Sequence, residues 1–451
     1  MSLFNTLNTG ASGMGASSTT LSVIGDNIAN IGTVGFKGSA ATFADAFPNV
    51  VGGLGGLSQI GNGAMVGDVA IDYAQGNLNQ SGSALDVAIL GSGFFQVSGG
   101  DGEMYYTRDG SFHLDADSFV VNSAGMRLQG YPAIDGTVTS ALGDLQIDGG
   151  EIPQQATTEV VLSATLSAEA DFTDEPLDAL RAATPLDGTA GAPTLEQLSQ
   201  AADFSTSVTV YDSLGKPHDV TLFFERDSAS PDTWNTYAVV DGGQVDTDGD
   251  GLPNGTPGSA FEIGTGSVTF DTDGNLVSTT GITPTAGWTF PGTDPLAANF
   301  AFGLDAAGNA TEGELRMGGT TSYLTSIAQD GRSSGTLDGL RVEADGTLIG
   351  TYSNGEEQAL GQLATATFAS NAGLDRVGGN LYRANANSGD PAMGVAGSGG
   401  RGTVAGYALE GSNVELEEQF VHMIQAQRSY QANTGVISTA DEALQQLINL
   451  V

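Results

Sequence analysis

Cysteine is absent from the 451 residues, and lysine occurs only at Lys37 and Lys216. The first absence removes disulfides, thiolate catalysis and cysteine-ligated zinc, iron–sulfur or haem-thiolate centres. It says nothing direct about compartment. Lys and Arg together number 13 against 53 Asp and Glu, a formal charge of 13 − 53 = −40. A chain so poor in bases lacks the footprint that nucleic-acid binding needs. It also lacks a polybasic patch for anionic lipid. Proline is low at 14, unlike a proline-rich disordered chain. No window approaches the roughly 18–20 apolar residues of a membrane-spanning helix, so no membrane insertion is expected. The N-terminus, Met1-Ser2-Leu3-Phe4-Asn5-Thr6-Leu7, has neither a basic segment nor an apolar run and reads as no cleavable signal.

Glycine, by contrast, is abundant at 67 residues, about twice its usual share. No three-residue period accompanies it, which excludes collagen. With 39% hydrophobic residues the chain can fold, and such a mix suits many short strands joined by glycine turns. The length allows about three domains.

The two ends differ from everything between them. Leu7, Met14, Leu21 and Ile28 recur every seven residues, with Leu3, Gly10, Ser17, Ile24 and Ile31 as the companion row. Leu416, Met423, Tyr430, Ile437, Leu444 and Val451 repeat the interval, thickened by Phe420, Ala426, Leu447 and Ile448. Both are heptad stripes on one helix face. Ser412 or Asn413 is placed to cap the second helix, and Glu415, Glu417 and Glu418 suit its positive end. Neither helix is stable alone in water. The economical solution pairs the two termini and packs them against neighbouring copies; the alternative is an ordinary terminal helix pair inside a monomer.

Strand and turn patterns fill the middle. Asp86–Leu90, Gly93–Val97, Met104–Thr107 and Ser111–Leu114 read as strands, with Arg108-Asp109-Gly110 as a hairpin turn. Ser207–Tyr211, Asp219–Phe224 and Trp234–Val240 follow, then Gly339–Glu343, Gly346–Gly350 and Leu363–Phe368. Asn354-Gly355 is a type I′ turn signal. The expected fold is multidomain and mainly β, with nested antiparallel β domains and paired, coiled-coil-like terminal helices. Residues 1–31 and 410–451 form the helical part. Residues 32–68 and 394–409 read as glycine-rich linkers, with flexible joints at 52–56 and 394–402. Residues 69–148 and 331–393 form a split β domain, and 149–330 an inserted, sandwich- or barrel-like β domain.

No catalytic constellation emerges. His113, His218 and His422 are scattered, and there is no nucleophile elbow, phosphate loop or dinucleotide fingerprint. No motif asks for a cofactor, and an enzyme is not expected. One weak metal candidate is Asp246-Thr247-Asp248-Gly249-Asp250-Gly251, which opens like a calcium loop with oxygens from Asp246, Asp248 and Asp250. Pro257 stands where a bidentate glutamate belongs, Glu262 lies too far along, and Asn254 could add an oxygen. The other reading is an acidic surface loop.

The termini carry a resemblance. Asp26-Asn27-Ile28-Ala29-Asn30-Ile31-Gly32-Thr33-Val34-Gly35-Phe36-Lys37 resembles the N-terminal motif of bacterial flagellar rod and hook proteins. Leu409-Glu410-Gly411-Ser412-Asn413-Val414-Glu415-Leu416, with Met423 to Asn433 and Thr439 to Glu442, resembles their C-terminal motif. Leu128–Ala133, Thr351–Gly355, Gln358–Gly361 and Val208–Gly215 are similar to the body of hook proteins. The resemblance implies a structural subunit that leaves the cell through the flagellar type III export apparatus without a cleaved signal. It would polymerise under a cap into a flexible, curved extracellular tube that joins rod to filament and transmits torque as a universal joint. Implied partners are further copies, the rod, the hook cap, the hook–filament junction proteins and the export apparatus. The distal rod-type protein, which lacks so large an insert, is the alternative within the family; a secreted calcium-stabilised β adhesin is one outside it. Leu21, Ile28, Met423 and Tyr430 are expected in buried contacts of the polymer.

Overall fold

The computed structural model describes residues 3–53, 56–147, 149–170, 176–284, 288–296, 298–303 and 312–449. Among them are four α-helices, α1 (Leu3–Ala29), α2 (Pro176–Ala183), α3 (Leu195–Ala201) and α4 (Leu416–Asn449), and many short strands. The chain is mainly β with long helical ends, as its glycine content and heptads predict. Residues 1–149, 337–351 and 357–451 form one compact unit, and 150–336 with 352–356 form another.

In the first unit the main sheet interleaves two distant stretches of chain. Glu357–Thr367 pairs antiparallel with Arg127–Ile134 (Gly130 opposite Leu363) and also with Phe94–Ser98 (Phe95 opposite Thr365). Neither stretch completes the sheet alone. Adjacent side chains on a strand point to opposite faces. Phe95 accordingly packs with Ile89, Leu128 and Leu363, while Phe94 joins Tyr106, Leu374 and Tyr382 on the other side. The Phe-Phe doublet marks a strand buried on both faces.

Three local expectations change. Arg108-Asp109-Gly110 does not close a hairpin: Met104–Thr107 pairs with Phe94–Ser98, and Phe112–Leu114 with Val120–Asn122. The strands diverge because Gly110 runs against the Val87 carbonyl, which a Cβ there would meet at 1.6 Å. Gly355 does turn a hairpin between Thr347–Tyr352 and Glu357–Thr367. It alone is left-handed (φ +84), with no positive φ at Asn354, so the turn is not type I′. The segments read as linkers hold strands. Ser39–Asp45 pairs with Ala64–Ile71, Thr403–Gly406 with Val87–Leu90, and Ala392–Val395 with Glu357–Thr367. Asn49–Gly53 and Gly56–Ile60 also pair, with Leu54 and Gly55 outside the described residues.

The second unit is a two-sheet sandwich. An antiparallel meander runs through Phe204–Tyr211, Pro217–Arg226, Thr233–Asp241, Ala260–Phe270 and Leu276–Thr279. The facing sheet centres on Glu159–Leu166, whose side chains alternate between half-buried and buried. That strand pairs parallel with Asn299–Ala301 and Glu314–Met317, a departure from the expected all-antiparallel pattern. Leu162, Leu222, Phe224, Trp234 and Phe300 fill the space between the sheets. Phe223 points the other way, under Leu177 of α2 and Leu198 of α3. These helices were not expected; the capping box of Thr194 and Gln197 was the overlooked signal for α3.

Candidate assembly site

The terminal helices pair antiparallel. Would-be Cβ atoms at Gly10 and Gly13 lie 2.8 Å from Ile437 Cγ1 and 2.5 Å from Asn433 Nδ2, and Asn27 Nδ2 donates to Gln419 Oε1 at 3.1 Å. Only glycine at those positions lets the helices come so close. The row that sinks deepest in α1 is therefore the small one: Gly10, Ser17 and Ile24 are buried, while Leu7, Met14, Leu21 and Ile28 are half-buried. On α4, Ala426 and Ala440 are buried and Met423, Ile437 and Leu444 half-buried. Leu416, Phe420 and Tyr430 of the predicted stripe stay exposed. Beside them Val421 and Ile424 are 53% and 50% exposed on a face that no described residue covers. The side chains of Leu3, Leu447 and Ile448, and all of Val451, lie outside the described residues.

Below the helices lies a junction that sequence reasoning left unassembled. Lys37 and Glu410 are both 0% exposed and meet at 2.6 Å. Arg108 approaches the second oxygen of Glu410 at 3.1 Å. Lys37 Nζ also donates to the Ala74 carbonyl, Arg108 to that of Gly91, and the Gly76 N–H to Glu410. Two cations thus share one carboxylate, with main-chain carbonyls as further acceptors. Burial pulls the Lys37 and Arg108 pKa values down, with Glu410 opposing the shift in each. Removing one charge from such a cluster would leave its partners buried and uncompensated.

The motif residues lace this junction together. Asn27 Oδ1 accepts from the Ser39 N–H and its Nδ2 donates to the Ser39 carbonyl. Asn30 closes the end of α1 by donating to Asp26, while Ala29 is exposed. Gly35 is left-handed (φ +69), and a Cβ there would strike the Asp109 nitrogen at 2.5 Å. Its N–H donates to the Glu410 carbonyl. Phe36 is buried, with the Arg376 guanidinium over its ring. Gly411 donates to the Asn77 carbonyl, and Val414 is buried. The expected cap is not made. Ser412 Oγ accepts from Val414, and Asn413 spans Gly38 and Asp72, so it ties the strand to α4 rather than satisfying α4 itself. Glu417 and Glu418 do occupy the first turn.

Four family models match the chain: "Flagella basal body rod protein" over residues 7–37, "Flagellar hook protein FlgE/F/G D1 domain" over 88–165, "Flagellar basal body protein FlaE D2 domain" over 180–335 and "Flagellar basal body rod FlgEFG protein C-terminal" over 405–450. The flagellar hook protein FlgE of Escherichia coli is 32% identical, over 97% of this chain and 98% of its own. That of Borreliella burgdorferi is 30% identical over 99% and 100%, and that of Brucella suis 32% over the full length of both. The chain belongs to the flagellar hook protein family. For this hook-family chain, the matched end segments contain Lys37 and Glu410, and the D1 match contains Arg108, so the junction draws on three separate matches.

The remaining candidates do not converge on it. Asp246, Asp248 and Asp250 bring carboxylate oxygens within 4.8 Å of one another. Asp246 already accepts from the Gly249 and Gly251 N–H groups, Asn254 Oδ1 from Thr247, and Glu262 is held by Arg181 at 2.6 Å. His218 is buried, stacked on Phe290 and bonded to Asp212; His113 and His422 are exposed. No described helix is long and apolar enough to cross a membrane.

Proposed function

We propose that this chain is the structural, non-catalytic subunit of a flagellar hook, polymerising through its terminal helices into a tube that links rod to filament and transmits torque while bending. The uncovered face of α4 carries this reading, since Val421 and Ile424 stand half-exposed on a long helix. A soluble protein leaves such a face open where a partner buries it. Mid-helix Gly15, Gly25 and Gly435 point the same way. Each weakens its helix by about 1 kcal/mol, yet among the described residues no atom beyond the adjacent residues and the helix's own backbone lies within 4 Å of a Cβ there. Close approach by neighbouring copies accounts for them. Full-length similarity to proteins named for the hook favours it over a distal rod component.

Export without a cleaved signal, an extracellular position, and contacts with rod, cap, junction proteins and export apparatus belong to the same proposal. The roles of Leu21, Ile28, Met423 and Tyr430 in polymer contacts do too. Deleting residues 1–30 is expected to abolish tube formation in electron micrographs. Trp234 and Trp288 both lie in the second unit, so its fluorescence-monitored melting should not move. Tubes formed by the truncated chain would refute the assignment.

A further inference from the structure

α1, α4 and the ribbon of Ser39–Asp45 with Ala64–Ile71 make up the helical end of the first unit; the Ala64 N–H donates to Ser12 Oγ of α1 at 3.2 Å. The chain passes between this end and the β body along residues 30–38, 72–77 and 411–415. The buried junction gathers all of these passages. Lys37 lies on the first, Ala74 and Gly76 on the second, and Glu410 at the foot of the third, with Arg108 reaching in from the body. Passages held at one point form a pivot unless a contact away from that point restrains the helices.

A hairpin supplies such a contact. Asp375–Gly378 pairs with Leu381–Arg383 at the end of the main sheet. Leu381 and Tyr382 root it in the core, yet Asp375–Gly378 is exposed at every residue. That strand adds little buried apolar surface. What it does is grip the foot of α1. The Arg376 guanidinium lies 4.6 Å over the Phe36 ring and 3.8 Å from Asp26. At the tip, Gly379 and Asn380 are both left-handed (φ +60 and +59), as a type I′ turn requires. Asn380 Nδ2 donates from there to the Val34 carbonyl at 2.8 Å. This grip is weaker than the junction. Asp26 is 55% exposed and Arg376 30%, and exposed ion pairs hold little. Opening the junction instead would leave buried charges uncompensated. We infer that the hairpin of Asp375–Gly378 and Leu381–Arg383 is a clasp on the foot of α1, opening and closing while the Lys37–Glu410–Arg108 junction stays shut as a pivot. The clasp sets how stiffly the helices stand on the β body. In a tube it sets part of the bending stiffness, a consequence that rests on the role proposed above.

The test uses the full chain. Arg376→Gln/Asn380→Gly removes the cation and the amide donor, and glycine keeps the left-handed turn. The Thr33 and Phe36 amides bond only within the loop, to the Asn30 and Thr33 carbonyls. In the monomer their hydrogen exchange should quicken at least about tenfold, as local opening predicts. The Gly35 and Gly76 amides both bond to Glu410 and should keep their rates, which also shows that the variant is folded. Arg376→Lys keeps the charge but not the flat guanidinium over Phe36, and should fall between. Tubes of the double variant should bend with about half the wild-type stiffness in thermal-fluctuation imaging, since a hinge has been freed. Unchanged exchange at Thr33 and Phe36 would overturn the clasp, and equal acceleration at Gly35 and Gly76 would overturn the pivot. Variant tubes as stiff as wild type would overturn the role in bending. A wild-type chain that forms no tubes would overturn the tube-forming role and the stiffness claim with it, a failure that the exchange measurement in the monomer tells apart from failure of the clasp.

Discussion

Glu410 stands between two buried cations. Replacing it by Gln removes the only carboxylate bonded to them among the described residues, and an uncompensated buried pair costs about 3–5 kcal/mol. Glu410→Gln should therefore speed amide exchange in Thr403–Gly406 and Ala408–Glu410 and leave the tryptophan-reported transition of the second unit unmoved. Glu225 offers the opposite sign of effect. It is 1% exposed and accepts from the Leu177 and Asp178 N–H groups at the start of α2. Burial, aided by Asp178 and Asp203 and opposed by those hydrogen bonds, leaves its pKa pushed up to about 7. A carboxyl that binds its proton more tightly when folded stabilises at low pH, and that stability is lost as pH rises through about 7. The tryptophan-monitored Tm should fall by about 5 °C between pH 5 and 8 from this group. Glu225→Gln should flatten that slope; an unchanged slope would exclude Glu225 as its source.

At the scale of elements, what could be read from sequence depended on how local the cause was. The heptads of α1 and α4 announce themselves because helix burial repeats every few residues. The Phe94-Phe95 strand was visible because its short apolar run is equally local. The junction was not, because Arg108 sits in a three-residue run with every mark of a tight turn. The carboxylate that gives it meaning is 302 residues away. The spacing in α1 did not say which of its two rows lies deeper. Backbone approach puts Gly10 and Ser17 at the contact and leaves Leu7 and Met14 half-buried. Two substitutions separate these effects. Gly10→Val should push α4 off α1 and lower helicity by circular dichroism. Gly15→Ala meets open space and should raise it, since alanine favours a helix interior by about 1 kcal/mol.

At the scale of the whole molecule the charge is unevenly spread. Residues 1–30 contain one acid and no base, whereas residues 149–330 hold 27 acids and 4 bases, a net of 4 − 27 = −23. Assembly through the terminal helices therefore brings strongly acidic bodies toward one another. Raising salt from 0.05 to 0.5 M shortens the screening length from about 14 to about 4 Å. It should lower the critical concentration for tubes, and sedimentation at the two salts would check it. The interleaved sheet has a further consequence for the order of events. Lys37 lies 373 residues ahead of its carboxylate, and the strand that fills the centre of the sheet comes after residue 356. A chain that emerges N-terminus first can build most of its second unit early. It leaves Lys37 and Arg108 uncompensated until its last fifty residues arrive. The buried junction thus acts as a completeness check: a prematurely ended chain has a folded middle but no finished base for its helices, and so nothing with which to join a tube.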